Sequence, residues 1–84
     1  MKKIVIPQLN ANDNSCTVKQ VLFKKGEPVK LNDVVMILET SKIVIDLECE
    51  EDGIFFPVVK ECSDLKTGEL AAFLFSTVEE MEEY

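Results

Sequence analysis

The chain has 84 residues, with 16 acidic side chains against nine lysines, neither arginine nor histidine, and a net charge of −7 at pH 7. This length holds one domain, and 46% hydrophobic residues gathered in strand-length clusters exclude a disordered chain. The acidic balance excludes a nucleic-acid surface, which needs clustered cations, and does not suit an anionic membrane.

The absence of histidine removes the usual general base, the commonest metal ligand and every nucleophile pair built on imidazole. An enzyme acting alone is therefore not expected. Cys16, Cys49 and Cys62 form an odd set with no C-x-x-C spacing, which argues against a disulfide framework or a zinc site and for reduced thiols in the cytoplasm. Apolar runs such as Val34-Val35-Met36-Ile37-Leu38 are far short of the ~20 residues that span a bilayer, so neither a membrane segment nor a signal peptide is expected.

In chain order, apolar clusters predict strands at Ile4 to Ile6, Val18 to Phe23, Val34 to Leu38, Ile43 to Leu47, Ile54 to Val59 and Leu70 to Phe75. The separators, Asn10 to Ser15, Lys24 to Asn32, Thr40 to Lys42, Glu50 to Gly53 and Lys60 to Glu69, carry the Asn, Asp, Gly, Pro, Ser and Lys that turns demand. Within the fifth cluster's lead-in and the second separator, Gly53 and Gly26 read as turn residues. The pattern is all-β, a sandwich or flattened barrel. Residues 1–77 are read as the domain and 78–84 as an acidic C-terminal tail, which also suits the first turns of a short helix.

An offset of 36 residues, taking Val34 to Leu70, superimposes the middle third on the last third. Lys24-Lys25-Gly26-Glu27 falls on Lys60-Glu61-Cys62-Ser63, Ile37-Leu38 on Phe73-Leu74, and Val18 on Ile54. A weaker echo relates Lys3-Ile4-Val5-Ile6 to Lys42-Ile43-Val44-Ile45. Two such halves would form two similar sheets about an approximate two-fold axis, each burying the other's apolar face. Glu39-Thr40-Ser41-Lys42 has no counterpart, because its equivalent near Ser76 runs into the acidic end.

Thr40-Ser41-Lys42 lies too tightly between two apolar runs for anything except a hairpin connection, which holds Lys42 at an exposed tip. Beyond it, Ile43, Ile45, Leu47 and Cys49 alternate with Val44, Asp46, Glu48 and Glu50, setting an apolar face against an acidic one.

Glu39-Thr40-Ser41-Lys42, followed by Asp46-Leu47 and Gly53, resembles the attachment loop and following strand of the lipoyl domain of 2-oxo acid dehydrogenase complexes. Ile4-Val5-Ile6-Pro7-Gln8-Leu9 is similar to that family's first strand and Phe23-Lys24-Lys25-Gly26-Glu27-Pro28-Val29 to its characteristic turn. The resemblance covers Lys3 to Ser76. It implies a barrel-sandwich hybrid, that is, a flattened β-barrel of two four-stranded antiparallel sheets with quasi-two-fold symmetry. Lys42 would be the covalent lipoyl (lipoate) acceptor at a type I turn, with Glu39, Thr40 and Ser41 read by the modifying enzyme. It implies as partners a lipoate ligase or lipoyl transferase, and the 2-oxo acid dehydrogenase, acyltransferase and dihydrolipoyl dehydrogenase components. The dithiolane of such an arm carries acyl groups and electrons between active sites, which the tether turns into local events.

Biotinyl domains share this fold, but there the lysine is typically flanked by methionines, whereas Ser41 and Ile43 flank Lys42. The family commonly places Asp before the lysine, and Ser41 stands there; an unmodified interaction module is therefore the alternative, and a biotin carrier the third reading. Asn10 to Cys16 lacks the family's usual glycines, and Cys62 takes the place of a glycine expected opposite Gly26, where a left-handed residue would be strained by ~1–2 kcal/mol.

Overall fold

The computed structural model describes residues 1–9 and 14–84. Eight strands build two four-stranded sheets: β1 (Lys2–Val5), β2 (Ser15–Val21), β3 (Pro28–Val29), β4 (Val34–Glu39), β5 (Val44–Glu48), β6 (Gly53–Pro57), β7 (Asp64–Lys66) and β8 (Leu70–Phe75). One sheet has the order β1-β8-β6-β3 and the other β5-β4-β2-β7, with every pairing antiparallel. The six clusters expected as strands all fall on strands. The additional β3 and β7 lie within segments read as turns, because each contributes a single inward apolar residue, Val29 and Leu65, and so shows no alternation.

The core between the sheets includes Val18, Val29, Val35, Met36, Leu38, Phe55 and Leu74, and among the described residues no polar or charged side chain is buried in it. The repeat is real in three dimensions, with two adjustments. The 36-residue offset carries β3 onto the start of β7 and β4 onto β8, but the register of β2 against β4 shifts between Val18 and Gln20. That bulge makes Val18, opposite Leu38, the counterpart of Phe55, opposite Leu74, and not of Ile54. Likewise Ile4 faces Ala72 as Leu47 faces Met36, so the counterpart of Ile4 is Leu47 and the weak echo with Ile43 is not a structural one.

All four described residues with left-handed backbone form two symmetry pairs: Gly26 (φ 89°) with Cys62 (φ 70°), and Asn32 (φ 72°) with Gly68 (φ 88°). The strain expected at Cys62 is therefore present. Gly53 differs from the reading as a turn residue: it lies in β6, where an added Cβ would come within 2.6 Å of Leu74 Cγ and 2.9 Å of the Phe75 carbonyl oxygen. Close approach of two strands, not turn geometry, excludes a side chain there.

Residues Val78–Glu83 form a short helix, α1, capped by the Thr77 hydroxyl, which accepts from Glu80 N at 3.1 Å. It packs on β6 and β8. Phe56, Phe73 and Phe75 point away from the sandwich core and meet the Tyr84 ring at centroid distances of 5.9, 5.0 and 5.6 Å. Lys25 Nζ lies 4.8 Å from the Phe56 ring centroid, and the Met1 ammonium 3.6 Å from Glu80. No helix among the described residues is long and apolar enough to cross a membrane.

Candidate functional site

The connection between β4 and β5 consists of Thr40, Ser41, Lys42 and Ile43. Glu39 pairs with Val44, so the strands close directly on these four residues. Thr40 N donates to the Ile43 carbonyl at 2.9 Å. The Thr40 hydroxyl oxygen accepts from Lys42 N at 3.2 Å and from Ile43 N at 3.0 Å. A β-branched hydroxyl residue thus supplies the acceptor that the turn's backbone lacks.

Lys42 is exposed at the tip, and no carboxylate among the described residues lies within salt-bridge distance of its ammonium. Ile43, expected on the inward face, instead belongs to the turn and is 45% exposed, because pairing begins only at Val44. From there the alternation holds: Leu47 and Cys49 are buried and Ile45 half-buried, while Val44, Asp46, Glu48 and Glu50 face outward.

Of the other residues singled out in the sequence, Glu39 stands at the end of β4, with Oε2 3.8 Å from Lys19 Nζ, while Thr40 and Ser41 lie in the turn itself. Glu39 also sits opposite Thr17 on β2, and the Thr17 hydroxyl donates to Asp64 on β7 at 2.8 Å. A shallow groove of about 570 Å³ runs beside the turn, with Glu39, Thr40, Asp64 and Glu69 in its walls. Lys19, Thr17 and Asp64 are invisible as neighbours of the turn in the sequence, since only strand register brings them there. The connector at residues 10–13, whose missing glycines the sequence noted, lies outside the described residues.

Cys16 lies buried in the groove wall. Burial first, then the carboxylates of Asp64 and Glu69, push its thiol pKa up. Burial likewise, with Asp33, raises that of Cys49. Both are held as inert thiols, and Cys62 is free and exposed. Among the described residues no cluster of His, Cys, Asp and Glu suits a metal ion. What the site offers is an exposed primary amine at the tip of a hydrogen-bonded hairpin turn, beside a strand with an acidic outer face.

A family model described as "Biotin-requiring enzyme", for biotin- and lipoyl-bearing domains, matches residues 2–73. The chain is 31% identical over 71 residues to the dihydrolipoyllysine-residue succinyltransferase component of the 2-oxoglutarate dehydrogenase complex of Bacillus subtilis, covering 83% of this chain and 17% of that protein. It is 31% identical over 84 residues to the mitochondrial pyruvate dehydrogenase protein X component of Mus musculus, covering 98% of this chain and 16% of that protein. To the mitochondrial dihydrolipoyllysine-residue acetyltransferase component 2 of the pyruvate dehydrogenase complex of Arabidopsis thaliana it is 25% identical over 85 residues, covering 99% and 16%. The chain thus spans about one sixth of the length of these relatives.

Proposed function

The chain belongs to the biotin/lipoyl attachment family, and on that premise we propose that it is a lipoyl carrier domain whose attachment residue is Lys42. The observation that carries this reading is the amine itself, held on a pinned turn with no described carboxylate in salt-bridge range. Amide formation there removes one positive charge without breaking an ion pair among the described residues. Taking the proton from the attacking amine falls to the modifying enzyme, which must supply the base. Once attached, lipoate supplies a dithiolane that carries acyl groups and electrons. The contribution of this chain is to hold the tether root at an exposed tip, so that the arm meets successive active sites at high local concentration.

The partners that follow are a lipoate ligase or lipoyl transferase, and the dehydrogenase, acyltransferase and dihydrolipoyl dehydrogenase components of a 2-oxo acid dehydrogenase-type complex. The domain acts as their substrate and has no catalytic group assigned. The three free thiols support a reducing compartment, the cytoplasm. Ser41 favours the second reading, an unmodified interaction module, and the family's breadth leaves biotin as the third. Co-expression with a lipoate ligase and lipoate, followed by intact-mass measurement, tests all three. One lipoyl group is expected, lost in Lys42→Ala. No added mass, mass surviving Lys42→Ala, or an avidin-reactive product would overturn the proposal.

A further inference from the structure

The chain after β8 takes a different course from the hairpin turn after β4, and its threonine stands one residue further on, since the 36-residue offset sets Ser76 against Thr40. After β8 the Thr77 hydroxyl accepts from the amide of Glu80, three residues on, at 3.1 Å, and the chain continues as α1. After β4 the Thr40 hydroxyl accepts from the amide of Ile43, also three residues on, at 3.0 Å, and additionally from Lys42 N at 3.2 Å. In both places a threonine oxygen collects the amide three residues on, but after β4 the Thr40 N–H also donates to the Ile43 carbonyl, which closes a hairpin and not a helix. At Thr40 the β-branched Ile43 and Val44, with the pairing of Val44 to Glu39, divert the chain into β5 after that single turn.

We infer that Thr40 is the positioning residue of the attachment turn, its hydroxyl fixing the backbone at Lys42 and Ile43 so that the lysine is presented in one conformation. This deepens the carrier reading and rests on it. Thr40 is half-buried, while Ser41, Lys42, Ile43 and Val44 are exposed. Its oxygen is engaged by two amide donors, and it also lies 3.3 Å from the Ile43 carbonyl as a donor. The role of Thr40 is thereby separated from that of Glu39, whose carboxylate stands on the outer face of the sheet. Thr40→Val keeps the shape and the β-branching but removes the acceptor, leaving two amides to water. A turn that spends only a tenth of its time in the presenting conformation raises the apparent KM for modification about tenfold and leaves kcat unchanged.

The test compares wild type, Thr40→Val and Thr40→Ser in two measurements. The first is the rate of lipoyl addition by a lipoate ligase with ATP and lipoate, as a function of domain concentration. The second is amide hydrogen exchange at Lys42 and Ile43 in the unmodified domain. Thr40→Val is expected to show about tenfold higher KM, unchanged kcat and about tenfold faster exchange at both amides, with Thr40→Ser restoring each. Slower modification with wild-type exchange would mean direct reading by the enzyme and would overturn the inference, as would failure of serine to rescue. Unfolding of both Thr40→Val and Thr40→Ala would also overturn it, since a pin that only presents Lys42 leaves the sandwich standing. If wild type itself gains no lipoyl mass, the carrier reading falls and presentation for modification falls with it, whereas unchanged exchange with intact modification removes the pin alone.

Discussion

Ile6 and Cys49 occupy the same place in the two halves of the molecule. Ile6 N donates to the Glu69 carbonyl at 2.9 Å and its own carbonyl accepts from Gly68 N at 2.8 Å. Cys49 N donates to the Asp33 carbonyl and its carbonyl accepts from Asn32 N, both at 2.9 Å. The side chains are 1% and 2% exposed, so each seals one end of the same core. Because isoleucine buries more carbon, Ile6→Ala is expected to cost ~3 kcal/mol and Cys49→Ala ~1 kcal/mol in urea unfolding.

Cys62 is an L-residue in left-handed backbone (φ 70°) where its counterpart is Gly26 (φ 89°). Replacing it by glycine removes ~1–2 kcal/mol of strain and restores ~0.5–1 kcal/mol of unfolded-chain freedom. Cys62→Gly is therefore expected to stabilise by about 0.5–1 kcal/mol, and Gly26→Ala to destabilise by about 1 kcal/mol. Opposite shifts of the urea midpoint check both.

Gly53 meets Leu74 and the Phe75 backbone with no room for a methyl group. Gly53→Ala should cost ~1–3 kcal/mol through a shift of β6 against β8. Thermal unfolding, with modification of Lys42 assayed on the folded fraction, measures this separately from any effect at the turn.

The raised thiol pKa values of Cys16 and Cys49 give an alkaline prediction. Above their ordinary value of 9.0 the unfolded chain loses these protons while the folded chain keeps them. Their contribution is complete below pH 9.0 and is lost as pH rises toward the folded values. Urea midpoints between pH 7 and pH 10.5 (roughly one unfolded-thiol titration to each side) should fall more steeply for wild type than for the Cys16→Ala, Cys49→Ala double variant.

The aromatic floor under α1 should be uncovered by removing residues 78–84. Phe73 and Phe75, buried in the intact chain, would then bind a fluorescent apolar dye while strand content is retained. Thr77→Ala, which removes only the helix cap, is expected to cost ~1 kcal/mol and to give a smaller dye signal.

The local pattern of apolar clusters and turn residues determined the β character, six of the eight strands, the duplication and the hairpin that bears Lys42, because each is written in neighbouring residues. Composition determined what the molecule lacks, chiefly histidine and arginine. Only the folded structure decided the rest. The bulge between Val18 and Gln20 and the match of Ile4 to Leu47 depend on register, which pairing with β4 and β8 fixes. Gly53 owes its identity to the close approach of β8 at Leu74 and Phe75, which no local rule displays, and β3 and β7 are too short to alternate. The acidic end becomes a helix because Phe56, Phe73 and Phe75 offer it a surface, since six residues with glutamates at both ends do not hold a helix by themselves. At the β4–β5 turn the sequence placed the lysine, while only the folded backbone brings the Lys42 and Ile43 amides to the Thr40 hydroxyl.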